Sequence, residues 1–337
     1  MMMRVGVIGL GDISKVHIPI IETSENIQLV AVSDKDLNQW FENPDIHFYE
    51  DYKEMLDQED LDSVHICLPH HLHAPVTVEC IQRGIHVFLE KPMGINLKEV
   101  EELVDLEKKH PQIKMNLCLQ NRLNNTSIHM KKLVESGDYG RIIGVKGLVA
   151  WHRTREYYDQ KPWRGRMDLS GGGVMINQSI HTLDLMQWIG GEIKSIQGSL
   201  SQLLDYGIEV EDTASARLEF TDGFSGLFYA TNANPYNSSV ELEVVLEKAR
   251  LVIRDNILYR WDEEGQHILV EDEKVEGTKF YYGASHKKLI HTFYKELESD
   301  VGDYIPVSQG LQSMRMIDAI RRSSETKKII NMEEYNG

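Results

Sequence analysis

Positive charge is in short supply in this chain. Its 36 lysines and arginines face 53 aspartates and glutamates, a formal net charge of -17 at pH 7. That balance repels phosphate backbones and anionic lipid, which argues against nucleic-acid and membrane-surface partners; a local pocket can still take a small anion. Long apolar runs are missing as well. No stretch of about 18 apolar residues occurs, and the opening MMMRVGVIGLGD is too short and too glycine-rich for the core of a secretion signal. A cytoplasmic location is the resulting expectation. Cysteine is scarce: Cys67, Cys80 and Cys118 are odd in number and widely separated, which argues against a disulfide framework or a cysteine-based zinc site. Cys67 and Cys118 lie in apolar strand-like runs, as buried thiols do. Repeats, low-complexity tracts and long linkers are absent too.

What is present fills two domains, since 337 residues exceed one ordinary core. Up to about Gln120, short apolar runs alternate with helix-length segments. Strands are predicted at Val5 to Ile8, Leu29 to Val32, Ile46 to Tyr49, Val64 to Leu68, Val87 to Leu89 and Met115 to Leu119, with helices at Ile13 to Glu22, Ala74 to Arg83 and Leu97 to Lys109. Strands apolar on both faces with helices between them predict a parallel, doubly wound α/β sheet over residues 1–122. The later half differs. Asp222-Gly223 between two strand-like runs signals a hairpin, and SVELEVVLE alternates with period two. Residues 123–337 therefore read as a second α/β domain on a large open, mainly antiparallel sheet, with helical patterns from Ala284 and from Gln309.

The first strand runs into Gly9-x-Gly11, and a helix follows. Glycine permits the tight turn that brings backbone N–H groups to a pyrophosphate at the helix N-terminus. Ser14, small but neither Gly nor Ala, holds the third fingerprint position. LVAVSD ends in Asp34, at the spacing where a carboxylate accepts the ribose hydroxyls of NAD and repels the extra phosphate of NADP. NAD is the expected cofactor, with NADP less favoured because Lys35 only weakens that exclusion.

Four further segments bear on the chemistry. LEKPMG places Glu90-Lys91-Pro92 at the carboxyl edge of the fifth strand, where open α/β sheets bind ligands and a fixed cation polarises a hydroxyl. GGGVMINQSIHTLDLMQW reads as a charge-poor helix after three glycines. Asn177, His181 and Asp184 fall in one stripe of it, ending at Trp188, which suits core packing better than a pocket wall. His181 is a natural proton acceptor near neutral pH, and Asn177 can hold the imidazole or the substrate. LPHHLHAP sets His70, His71 and His73 after the fourth strand; their closeness invites zinc, but no neighbouring cysteine or carboxylate completes the set, so no metal is expected. WHRTREYYDQKPWRG clusters Trp151, Arg153, Arg155, Tyr157, Tyr158, Trp163 and Arg164, which suits either a polyhydroxylated ring or a loop packed on the core or on a partner copy.

In order, VGVIGLGDIS, LPHHLHAP, LEKPMG, CLQNR, YYDQKPWRG, GGGVMINQSIHTLDLMQW and YYGASHKKLI resemble the Gfo/Idh/MocA oxidoreductases, relatives of glucose-fructose oxidoreductase and inositol dehydrogenase, over nearly the whole chain. The resemblance implies a Rossmann domain and an open-sheet domain that forms homodimers or homotetramers. It implies an NAD-dependent oxidation or reduction at a secondary alcohol of a sugar, inositol or related polyol. Lys91, His181 and Asn177 would be the catalytic set, with Asn177 where many members carry Asp. Gly9, Gly11, Asp12, Ile13, Ser14, Asp34, Leu68, Pro69, His70, His73, Glu90, Lys91 and Gln120 would meet the cofactor. Arg122, Tyr158, Trp163, Arg164, Asn177, His181, Asp184 and Tyr282 would meet the substrate. An NAD-retaining glycosidase and a non-catalytic nucleotide-binding regulator on the same fold are the alternatives; a regulator has no need of Lys91 and His181 together.

Overall fold

A computed structural model describes residues 2–39, 43–273, 285–333 and 335, and the chain divides into two units. Met1–Gln120 with His286–Leu311 form the first, and Asn121–Ser285 with Gln312–Gly337 form the second. The boundary expected at 122/123 thus falls at 120/121, and the segment 286–311, expected in the second domain, belongs to the first. Its helix Ser285–Ser299 explains the return. Leu289, Ile290 and Phe293 are fully buried, and Phe293 meets Phe88 of the first unit edge-on at 5.7 Å. An amphipathic pattern shows that a helix covers something, not which sheet it covers.

The first unit is built on β1 (Met3–Ile8), β2 (Ile27–Ser33), β3 (His47–Tyr49), β4 (Ser63–Ile66), β5 (His86–Leu89) and β6 (Met115–Leu117). Their order is β3-β2-β1-β4-β5-β6, with every neighbouring pair parallel. All four residues of β4 are buried, as a strand covered by helices on both faces requires. The order reverses between β1 and β4, which opens a crevice at their carboxyl ends.

The second unit carries β7 (Ile142–Ala150), β8 (Ile193–Ser201), β9 (Thr213–Phe220), β10 (Ser225–Thr231), β11 (Glu241–Leu246), β12 (Arg250–Arg254), β13 (Ile257–Asp262), β14 (Gly265–Glu271) and β15 (Ile330–Asn331). They form one sheet ordered β14-β13-β12-β11-β7-β10-β9-β8-β15, in which β7 and β10 pair in parallel and the other pairs are antiparallel. The Asp222-Gly223 signal is the β9–β10 hairpin, where Gly223 takes φ 87° and donates to the Phe220 carbonyl at 3.0 Å. In β11, Leu242, Val244 and Leu246 are buried while Glu241 and Glu243 pair with Lys146 on the other face. The helix Ile180–Gly190 lies on β7 so closely that a Cβ on Gly147 would stand 2.5 Å from the Met186 sulfur. Among the described residues no helix is long and apolar enough to cross a membrane.

Candidate active site

At the β1 edge, the Gly9 N–H donates to the Ser33 carbonyl at 2.8 Å, and its φ of 93° favours glycine. A Cβ there would sit 2.7 Å from the Cys67 carbonyl, so only hydrogen lets the turn pass between the ends of β2 and β4. Ser14 is buried and donates its hydroxyl to the Gly11 carbonyl at 2.7 Å, which closes the turn without a third glycine. The helix Ser14–Glu22 begins with no side-chain cap, and Asp12 is exposed beside Gly11 and Ile13. Asp34, half-buried, accepts from the Leu10 amide at 2.6 Å and from the Asp36 amide at 2.9 Å, so one carboxylate ties the glycine turn to the end of β2. A cradle closed to any Cβ, an uncapped helix start and a carboxylate at the second strand end fit a dinucleotide.

The other expected cofactor residues occupy the neighbouring strand ends. Leu68 and Pro69 are half-buried after β4, and His70 is buried in a short 3-10 turn, His70–Leu72. His73 does something sequence reading did not anticipate. Its Nε2 lies 2.7 Å from the Leu68 carbonyl and its Nδ1 lies 2.6 Å from the Pro92 carbonyl, so the ring sits between two backbone segments, and in its neutral form it donates to one of the two. Glu90 is buried and Lys91 half-buried after β5, while Gln120, buried after β6, accepts from the Cys118 thiol at 3.5 Å. All three cysteines are free and buried, and burial raises each thiol pKa.

In the second unit the predicted single helix is two: Val174–Asn177 and Ile180–Gly190. Ser179 breaks it by donating its hydroxyl to the Val174 carbonyl at 2.8 Å, a local competitor of the helical ladder. Asn177 is therefore not one helical turn before His181. The break also turns amides toward the aromatic loop, as Asn177 Nδ2 donates to the Tyr157 hydroxyl at 3.2 Å and Gln178 Nε2 donates to it at 2.9 Å. Tyr158 is buried and accepts from Asn232 at 3.2 Å, with burial raising its pKa to about 12. The Arg164 guanidinium lies 4.1 Å over the Tyr157 ring, and Trp163 is half-buried beside it. The glycines are held from below: the buried Glu211 carboxylate accepts from Gly173 at 3.0 Å and from Met175 at 3.1 Å, and a Cβ on Gly173 would overlap the Glu211 carbonyl. Burial raises the Glu211 pKa against those two donors.

His181 is 5% exposed and Asp184 is 1% exposed on the same helix. Arg122 and Asp184, both expected at the substrate, engage one another: Nε donates at 2.8 Å, a terminal nitrogen donates at 2.6 Å, and Ser313 donates to the same carboxylate at 3.1 Å. That pair anchors the His181 helix from inside, with both Asp184 oxygens engaged. Trp188 packs under Lys131, whose ammonium stands 4.9 Å over the indole. Tyr282 lies outside the described residues. Gln178, Asn232 and Glu211 escaped the sequence reading; Gln178 alone had a signal, as an uncharged polar side chain in the same charge-poor segment.

Comparison with known proteins agrees with these two units. The family model described as an oxidoreductase family with an NAD-binding Rossmann fold matches residues 3–116, and the model of the GFO/IDH/MocA C-terminal domain matches residues 128–252. The chain is 26% identical to myo-inositol 2-dehydrogenase of Thermotoga maritima over 99% of this chain and 100% of that one. It is also 26% identical to scyllo-inositol 2-dehydrogenase (NAD(+)) of Bacillus subtilis, over 76% of this chain and 72% of that one. The structure of the WlbA dehydrogenase from Bordetella pertussis in complex with NADH and UDP-GlcNAcA superposes with a TM-score of 0.84 at 27% identity, covering 98% of this chain and 99% of that one. A parallel sheet closed by a glycine turn and Asp34, followed by an open sheet bearing a polar-seamed helix, is thus matched along both units, and the chain belongs to the Gfo/Idh/MocA family of NAD-binding oxidoreductases.

Proposed function

We propose that the chain is an NAD-dependent dehydrogenase of a sugar, inositol or related polyol, acting at a secondary alcohol. The observation that carries this reading is Lys91 at the carboxyl edge of β5 in a dinucleotide-binding unit, in a chain that also sets His181 on a helix almost devoid of charge. Bound nicotinamide supplies the hydride acceptor. Gly9, Gly11 and the uncapped start of Ser14–Glu22 would receive the pyrophosphate, and Asp34 would accept hydrogen bonds from the ribose hydroxyls. The NADH in the Bordetella structure and the NAD(+) of the Bacillus relative support that choice over NADP.

His181 takes the proton of the substrate hydroxyl, and Lys91 holds the oxygen as negative charge develops on it. Asn177 is an amide and exchanges no proton as a carboxylate does, so it orients, and His181 is the base. Tyr158, Trp163 and Arg164 supply aromatic faces and donors for a polyhydroxylated ring. Ile143, Leu227 and Ile268 stand exposed on β7, β10 and β14, which supports a dimer or tetramer through the open sheet. The test offers inositols, sugars and sugar acids with NAD and, separately, with NADP, and follows NADH absorbance. Turnover of at least one polyol, faster with NAD, is expected; sugar release without net NADH marks the glycosidase reading, and silence across the panel removes the dehydrogenase reading.

A further inference from the structure

Behind Lys91 the first unit buries an unusual set of polar groups. His17, Glu90, Cys118 and His286 bring donor atoms within 4.8 Å of one another, an arrangement that suggests zinc. One distance reads as a hydrogen bond instead. His17 Nε2 stands 2.9 Å from Glu90 Oε1, whereas two ligands about 2.0–2.1 Å from a tetrahedral zinc stand roughly 3.3 Å apart. The contact is a hydrogen bond, and it fixes the protons beyond it.

Glu90 Oε1 accepts from His17 Nε2, which leaves the Nδ1 of a neutral His17 as an acceptor. His65 Nδ1, 2.7 Å away, must then donate, and His65 Nε2 must accept from the Tyr294 hydroxyl at 2.8 Å. Ser63 closes the chain at 3.0 Å from Tyr294. One tautomer per ring satisfies every contact, and each donor points toward Glu90. His286 adds its Nε2 at 3.5 Å from the same oxygen. The other oxygen, Oε2, accepts the Lys91 backbone N–H at 3.2 Å. Past Lys91 in the chain, the His73 ring lies between the Pro92 and Leu68 carbonyls.

We propose that Glu90 and His73 are positioning residues for Lys91: the carboxylate, held by His17 and His286, accepts the Lys91 backbone N–H and sets its buried negative charge next to that residue, and the His73 ring, lying between the Leu68 and Pro92 carbonyls, fixes the backbone beyond it. The proposal rests on the reading that Lys91 acts at the substrate oxygen. Glu90 is ionised far below the ordinary carboxyl range despite burial, because His17 and His286 donate to it. Both charges act on the same neighbours. The Cys118 thiol is pushed up by burial and by Glu90 and drawn back by Lys91; His73 is lowered chiefly by burial, with Glu90 favouring and Lys91 opposing its charged form. Among the described residues the titratable groups that interact with Glu90 are His17, His286, His65, His73, Cys67 and Cys118, with Lys91 next to it in the chain.

The test is the titration of Lys91 itself in the full-length chain, read by carbon NMR of reductively methylated lysines and assigned with Lys91→Arg. Glu90→Gln keeps the side chain's shape and removes its charge, and about one unit or more of downward shift is expected. In turnover the same variant loses about 10- to 100-fold in kcat with NADH binding within about threefold, and Glu90→Asp recovers part of it. Because coupling is reciprocal, Lys91→Met, which removes a half-exposed side chain, raises the Glu90 pKa and covers the case in which Glu90→Gln does not fold. An unmoved Lys91 titration in Glu90→Gln, or an unmoved Glu90 in Lys91→Met, overturns the proposal. So does about one metal ion per chain that His286→Gln removes. None of these titrations needs turnover, so a wild-type chain inert toward every polyol would end the dehydrogenase reading and leave this one to be decided separately.

Discussion

Lys91 and His181 are fixed by opposite means. Lys91 stands on an irregular turn at a sheet edge, with a network of imidazoles and one carboxylate buried behind it. His181 stands in a regular helix whose Leu183, Met186 and Ile189 are buried on the second sheet, seated where Gly147 lets the helix approach. The first arrangement, as proposed above, sets charge as well as place, since a buried carboxylate near an ammonium favours the ammonium. The second sets place through packing. In the proposed reaction the group that stays charged is backed by charge, and the group that changes charge is backed by packing and by the Arg122–Asp184 ion pair.

The largest expected effects separate chemistry from binding. Lys91→Ala and His181→Ala are each expected to lower kcat/KM by about 10³-fold or more, roughly 4 kcal/mol of transition-state stabilisation, with NADH binding measured by fluorescence retained. A loss of NADH binding in either variant breaks the comparison, because the residue then supports the fold or the cofactor.

Next comes the anchor of the His181 helix. Arg122→Ala leaves a buried carboxylate unpaired and is expected to destabilise the chain by about 3–5 kcal/mol in urea unfolding, whereas replacing both partners, Arg122→Met with Asp184→Leu, costs much less. Equal losses from both variants would show that the pair does more than anchor.

The buried histidines predict a pH dependence confined to the first unit. His65 is held well below the ordinary imidazole value chiefly by burial, and His73 is lowered by burial. The unfolded chain takes up their protons near pH 6.5 and the folded chain resists, so stability falls as pH drops below that point, by up to about 1.4 kcal/mol per pH unit for each group. Glu90 has the opposite sign of origin: its lowered pKa stabilises the fold above about pH 4.5 and that contribution is lost only below it. Melting temperature between pH 8 and 5 should decline, and His65→Gln should flatten the decline; a flat wild-type profile sinks the assignment. The smallest effect concerns Asp34, where Asp34→Ser is expected to shift the NADP-to-NAD preference by about 10- to 100-fold toward NADP, roughly 1.4–2.7 kcal/mol, in paired KM measurements.

Much of the first unit was legible because strands buried on both faces, the glycine turn and Asp34 are all local signals, and each of the six strands lies within a few residues of its predicted place. The second sheet announced itself through the Asp222-Gly223 turn and the alternation in β11. The failures were contacts made across long sequence separations. Nothing in LEKPMG shows that His286 returns to Glu90, nothing in LPHHLHAP shows that both His73 nitrogens face carbonyls, and the Arg122–Asp184 pair joins residues that periodicity treats separately. The helix break at Ser179 was a competition between a hydroxyl and the backbone ladder that an apolar pattern does not register.

The central claim is that a hydrogen leaves a carbinol carbon for the nicotinamide, and isotope transfer tests it most directly. A polyol that the chain oxidises, deuterated at the reacting carbon, is converted with NAD and the products are analysed by NMR. The account predicts one deuterium at C4 of the reduced cofactor for each ketone formed, and none in His181→Ala. Deuterium recovered on the sugar, with a glycosidic bond broken and no reduced cofactor left behind, would contradict it.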